Sequence, residues 1–203
     1  MNISKFEFVQ VNKHYYTWFD IERMCVSIVN QMYAENWRPD YIVGITRGGN
    51  VPATIISNMT GIRCEALKVS LRDDSDKGSE SNLWMSEDAF GYEDYKIQTH
   101  NQDLEASANK VISMIENKSK ILIVDDINDT GATFNWIKQD WQASCLPDHD
   151  RWNNVWGNNV KFATLTDNLA SDFNGVVNYT CHEINKAEDD VWLVYPWETV
   201  GEY

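Results

Sequence analysis

The segment from Ile121 to Thr133 constrains this chain more than any other. Ile121-Leu-Ile-Val124 places four apolar residues in a row, with no polar face to turn towards water. Such a run suits a strand buried on both sides, as at the centre of a parallel sheet covered by helices. It leads directly into Asp125 and Asp126 and then, past Ile127 and Asn128, into Asp129-Thr-Gly-Ala-Thr133. Open α/β sheets bind ligands beyond the carboxyl ends of their strands. Gly131 allows a tight turn, after which the first N–H groups of a helix face outward at its positive end. With the hydroxyls of Thr130 and Thr133, the stretch Thr130, Gly131, Ala132, Thr133 is expected to cradle one phosphate. Asp125 and Asp126 beside it can accept hydrogen bonds from the neighbouring hydroxyls of a sugar.

Elsewhere strand and helix patterns alternate. Ile21, Met24, Ile28 and Met32 recur at helical spacing between Asp20 and Glu35, with Asp20 placed to cap the helix. Tyr41 to Ile45 reads as a buried strand closed by Thr46-Arg-Gly-Gly49, and Pro52 to Met59 as a helix ending near Gly61. A strand is expected over roughly Glu65 to Leu71. Residues 72–101 are polar and acidic with scattered aromatics, the composition of a flexible loop over a site. Helices are expected over Asp103 to Glu116 and Thr133 to Trp141. Late strands are expected over Val160 to Leu165, Val176 to Cys181 and Val191 to Tyr195, with an insert-like stretch at 146–159. This alternation predicts one α/β domain over 1–203, with a mainly parallel central sheet flanked by helices and a small hood made from the chain ends. Residues 186–203 belong to that hood.

Composition excludes several classes of function. A formal net charge of -14 argues against nucleic acid or anionic membrane as a partner, since both need basic surface. It leaves room for a small phosphorylated ligand, which needs only a local pocket of N–H groups, a few cations and a metal ion. The four cysteines and four histidines are scattered, without zinc-site spacing, so the cysteines are expected to be buried apolar residues in a reducing compartment. No apolar run of signal-peptide or membrane-spanning length is present, and the chain reads as cytoplasmic. A P-loop is excluded because no G-x-x-x-x-G-K-[ST] occurs, and a dinucleotide-binding loop because no G-x-G-x-x-G occurs.

The whole string from Ile121 to Thr133 resembles the signature of the type I phosphoribosyltransferases: an apolar strand, two acids, two residues, then D-T-G-x-T. The resemblance implies a sheet of that family's type and chemistry on 5-phosphoribosyl-1-pyrophosphate. Thr46-Arg47-Gly48-Gly49 falls where the family keeps its pyrophosphate loop, with Arg47 as the cation and Gly48 and Gly49 allowing close backbone approach. Val191-Trp-Leu-Val-Tyr-Pro-Trp-Glu198 resembles the end of the xanthine-guanine and hypoxanthine branch. There Trp192 matches the residue that stacks on the purine, and Leu193 the one whose backbone reads it. Tyr15 to Asp20 also resembles the start of bacterial members. The implied activity is transfer of the phosphoribosyl group to guanine, xanthine or hypoxanthine in purine salvage, with Mg2+ as cofactor. Asp125 and Asp126 would hold the ribose hydroxyls directly or through the metal, and Asp129 would handle the purine N7 proton. Arg72 and Lys77 would add positive charge from the loop. Members are commonly dimers or tetramers, so a homo-oligomer is expected.

One position departs from the pattern. That branch usually carries a lysine in the strand after the phosphate-loop helix, to contact the purine's 6-oxo group. Here Lys161 comes too early and the matching place falls near Thr164 or Leu165, so Thr164 is the base-binding candidate. This leaves open a pyrimidine or unusual acceptor. A regulatory protein that keeps the pocket without turnover is the reading from a different class, and intact Arg47, Gly48, Gly49 and Asp129 argue against it.

Overall fold

The computed structural model describes residues 12–71, 79–92, 95–96, 118–189 and 191–198 of the chain. In chain order its elements are β1 (Asn12–Tyr15), α1 (Trp18–Ala34), β2 (Tyr41–Thr46), α2 (Asn50–Thr60), β3 (Cys64–Lys68), α3 (Leu83–Phe90), β4 (Ile121–Asn128), α4 (Ala132–Ser144), α5 (Trp152–Val155), β5 (Val160–Asn168), β6 (Val177–Ile184) and β7 (Val191–Val194). Five of the strands form one sheet in the order β3-β2-β4-β5-β6, every pair parallel. The expected α/β class is therefore observed. The chain ends also meet as expected: β1 and β7 pair in a separate two-stranded parallel sheet, the hood.

Alternation of side chains along the strands builds two cores, one on each face of the sheet. Tyr41, Val43, Ile45, Ile121 and Ile123 face one core, which α3, α4 and the α5 segment cover with Phe90, Phe134, Trp141 and Trp152. Ile42, Leu122 and Val124 face the other, closed by Ile21, Cys25, Ile28 and Met32 of α1 and Ile56 of α2. This is why Ile121 to Val124 carries no polar residue. All four side chains are fully buried.

Several boundaries differ from expectation for local reasons. Thr17, not Asp20, caps α1: its hydroxyl accepts from the Asp20 N–H while the Asp20 carboxylate accepts from the Thr17 N–H, a reciprocal capping box. Strand β4 runs on through Asp125 and Asp126 to Asn128, because β5 continues to pair with it as far as Asn128–Asp167. The segment 72–101 was expected to be a polar loop, yet α3 lies within it with Met85, Ser86, Ala89 and Phe90 buried, and the Ser86 hydroxyl donates to the Trp141 carbonyl of α4. Its apolar positions are too few to show against acidic neighbours, and Asn82 supplies the cap. The expected helix over 103–116 lies outside the described residues, as do Arg72 and Lys77. Cys25 and Cys145 are buried, and burial pushes their thiols up to about 12 and about 11. They are inert packing groups.

Candidate active site

The order β3-β2-β4 means that the chain leaves β2 towards one edge of the sheet and resumes at β4 on the other side. This reversal opens a crevice beyond the carboxyl ends of β2 and β4. A cleft of about 1200 Å³ lies there, lined by Thr46, Arg47 and Gly48 after β2 and by every residue from Asp125 to Phe134 after β4. The start of the hood's tail, Trp197 and Glu198, forms another wall. Helices α1 and α3 have side-chain caps, from Thr17 and Asn82. Helices α2 and α4 start at the cleft, at Gly49 and Gly131, without any side-chain cap. At α2 the Asn50 and Val51 N–H groups close on the Arg47 and Gly48 carbonyls, and at α4 the Ala132 N–H donates to the Thr130 hydroxyl. It is therefore the positive end of α4, beyond Ala132, that is turned towards an anionic ligand.

Close approach is built into both loops. A Cβ on Gly48 would lie 1.8 Å from Oδ2 of Asp126, and one on Gly49 would lie 2.4 Å from the carbonyl oxygen of Val124. Gly131 has φ +83°, and a Cβ there would meet the Phe173 nitrogen at 2.3 Å. Glycine is required on both counts.

Between the loops sit Asp125 and Asp126. Burial and then the neighbouring Asp126 charge push the Asp125 carboxyl well above the usual range. Burial also raises Asp126, opposed by the Ile127 N–H, which donates to its Oδ1 at 2.9 Å, and reinforced by the Glu198 charge. Two carboxylates forced together in this way are favoured by positive charge nearby, which a divalent metal would supply. No cluster of three or more metal-ligating side chains occurs among the described residues. Asp125 and Asp126 are the residues that would hold a divalent cation here.

The hood is tied to this site by aromatic rings. Tyr195 stacks between Tyr16, at 5.1 Å, and Trp197, at 5.0 Å. Its hydroxyl donates to the Asp126 carbonyl and meets the Thr166 hydroxyl, both at 3.1 Å. Pairing of β2 with β4 ends at Gly44–Val124, so Tyr195 serves β4 just past that point. Tyr195→Phe is expected to lower stability by about 1–2 kcal/mol, the cost of a buried acceptor short of its donor. A thermal melt checks this, with a fall of about 2–4 °C per kcal/mol for a chain of this size.

The phosphoribosyl transferase domain profile matches residues 11–192. The chain belongs to the phosphoribosyl transferase domain family. Xanthine phosphoribosyltransferase 1 of Saccharomyces cerevisiae is 26% identical over 202 residues, covering 91% of this chain and 88% of that protein. Hypoxanthine-guanine phosphoribosyltransferase of Schizosaccharomyces pombe is 25% identical over 197 residues, with 91% and 88% covered. The structure of Helicobacter pylori xanthine-guanine-hypoxanthine phosphoribosyltransferase superposes with a TM-score of 0.56 at 15% identity, covering 93% of this chain and 95% of that one, which shows a shared fold.

In this phosphoribosyl transferase domain most of the expected site residues converge. Arg47, Gly48, Asp125, Asp126, Asp129, Thr130, Gly131, Ala132 and Thr133 all line the cleft, with Gly49 packed directly behind against Asp125. Three base-binding candidates do not reach it. Thr164 is fully buried in β5 and turns to the Thr180 hydroxyl of β6 at 3.5 Å. Trp192 is 59% exposed on β7 opposite Lys13, and Leu193 points into the α1 core. The alternation of β7 turns Trp192 outward, and the turn closed by the Glu198 N–H on the Tyr195 carbonyl brings Trp197 to the cleft instead. Sequence reasoning also missed Lys68, Trp197 and Glu198, which line the cleft, and Lys186, whose ammonium lies 2.9 Å from the Asp129 carboxylate. No helix among the described residues is long and apolar enough to cross a membrane.

Proposed function

We propose that the chain transfers the 5-phosphoribosyl group of phosphoribosyl pyrophosphate to a purine base, releasing pyrophosphate and forming the nucleoside monophosphate. One observation carries the donor half: a carboxylate pair flanked on one side by the uncapped turn Thr130–Thr133 and on the other by Arg47 and Gly48. That layout suits a sugar bearing a phosphate at one end and a pyrophosphate at the other. The purine half rests on the two yeast relatives, whose names specify xanthine and hypoxanthine-guanine.

The base nitrogen attacks C1′ as the bond from C1′ to the pyrophosphate oxygen breaks. Arg47 and the loop N–H groups hold the departing charge, where fixed donors stabilise most. Asp125 and Asp126 hold the ribose hydroxyls, and Thr130, Gly131, Ala132 and Thr133 hold the 5′-phosphate. Asp129 takes the proton from the purine. Asp125 and Asp126 would hold Mg2+, which would supply positive charge to stabilise the departing pyrophosphate. A homo-oligomeric enzyme of purine salvage is the setting this reading implies.

The test is pyrophosphate release from phosphoribosyl pyrophosphate and Mg2+ across a panel of xanthine, guanine, hypoxanthine, adenine, uracil and orotate. Turnover with at least one 6-oxopurine, abolished by chelation, is the expected result. Turnover with pyrimidines alone, or none at all, overturns it.

A further inference from the structure

Strands β4, β5 and β6 each deliver one residue to a common point behind the cleft. Asp129 follows β4, Asn168 ends β5, and Lys186 lies just past Ile184 at the end of β6. The Asn168 amide nitrogen donates to the Asp129 carbonyl at 2.8 Å. Its amide oxygen accepts from the Lys186 N–H at 3.0 Å and from the Ala170 N–H at 3.2 Å. Nζ of Lys186 then returns to Oδ1 of Asp129 at 2.9 Å. The three residues thus close a ring that grips Asp129 at its backbone and at its carboxylate. The Lys186 side chain is 21% exposed, against 45% for Asp129. The other ion pairs among the described residues, Arg63 with Glu65 and Lys161 with Glu35, lie away from the cleft.

We propose that Lys186 is a positioning residue for the phosphoribosyl transfer, holding Asp129 by Oδ1 so that Oδ2 meets the N7 proton of the purine. The inference rests on the purine reading above. Asp129 sits in a loop, where its side chain alone would sample several rotamers. An ion pair on one oxygen and a backbone anchor behind it reduce these to one. As another ring nitrogen of the purine bonds to C1′ through its lone pair and pyrophosphate departs, the N7 proton passes to Oδ2. Lys186 transfers no proton itself. A loosened carboxylate slows the chemical step and leaves the phosphate and pyrophosphate cradles as they were, because Lys186 is bonded to Asp129 and Asn168 rather than to the loops that form those cradles.

Steady-state kinetics of the full chain with its best purine test this, comparing wild type with Lys186→Met, Lys186→Gln and Lys186→Arg. The Met and Gln variants are expected to lose on the order of 10- to 100-fold in kcat. Their KM for phosphoribosyl pyrophosphate should stay within about twofold, and Arg should recover most of the lost kcat. A kcat unchanged in Met and Gln overturns the proposal. So does a loss that Arg fails to rescue while KM for phosphoribosyl pyrophosphate rises in step, the pattern of a general disturbance. If Lys186→Met does not fold, the contrast between Gln and Arg decides alone. Wild-type inactivity with every purine overturns the purine reading and this inference together. Wild-type turnover with unaffected variants overturns this inference only.

Discussion

An Asp125→Asn variant is expected to melt at a higher temperature than the wild type in the absence of ligand, while its turnover falls by on the order of 10²-fold or more. Both effects have one cause. Burial and the Asp126 charge hold the Asp125 carboxyl well above the ordinary value of 3.8, so the folded protein binds this proton more tightly than the unfolded chain does. The resulting stabilisation is complete below the ordinary carboxylate value and is lost as pH rises through the raised one. Asparagine carries no such loss, and its oxygen can still accept from the Asp126 N–H, now 3.0 Å from Oδ1 of Asp125. The melting advantage of the variant should therefore grow from acid to neutral pH, with about 2–4 °C for each kcal/mol. Phosphoribosyl pyrophosphate with Mg2+ should reverse the order, since ligand at about 100 times its Kd stabilises by about 2.7 kcal/mol and the variant lacks an anchor for it. Thermal melts over pH, with and without ligand, check both halves. A variant less stable than wild type at neutral pH without ligand would refute the account.

The second large effect is at the glycines after β2. Gly48→Ala places a methyl where Oδ2 of Asp126 now lies, 1.8 Å away, so that carboxylate must swing out of place. Turnover should fall by on the order of 10²-fold, because a small misplacement of a substrate-holding group is enough. The fold should be nearly unaffected, since a side chain can give way. Gly49→Ala instead meets backbone, the Val124 carbonyl at 2.4 Å and the Asp125 Cα at 2.7 Å. Backbone cannot yield cheaply, so a cost of about 1–3 kcal/mol in stability is expected as well as lost activity. Parallel melts and kinetics on the two variants separate these outcomes. A fully active Gly48→Ala protein would sink the claim that the loop packs on Asp126 during turnover.

The convergence of Asp125–Thr133 on one cleft was legible because it is local. Strand, acids, glycine and threonines follow one another within Ile121–Thr133, and short-range geometry alone places them at a helix start. The wall supplied by the chain's end was not, because it is assembled from a distance. Trp192 and Thr164 were chosen by matching positions along strands, and strand alternation turned one outward and buried the other. Trp197 reaches the cleft through a turn and a ring stack that no periodicity announces. Helix α3 was masked by Glu87 and Asp88, although four of its eight residues are buried.

By itself the sequence determined the fold class, the parallel centre and the strand–turn–helix string that lines the cleft, since apolar runs and such a string depend only on neighbours in the chain. The tertiary structure decided which residues share the cleft. Asp129 and Lys186 lie 57 positions apart, and only the parallel order of β4, β5 and β6 brings them within 2.9 Å. Strand order depends on how both faces of the sheet are covered at once, and no local stretch of residues encodes that.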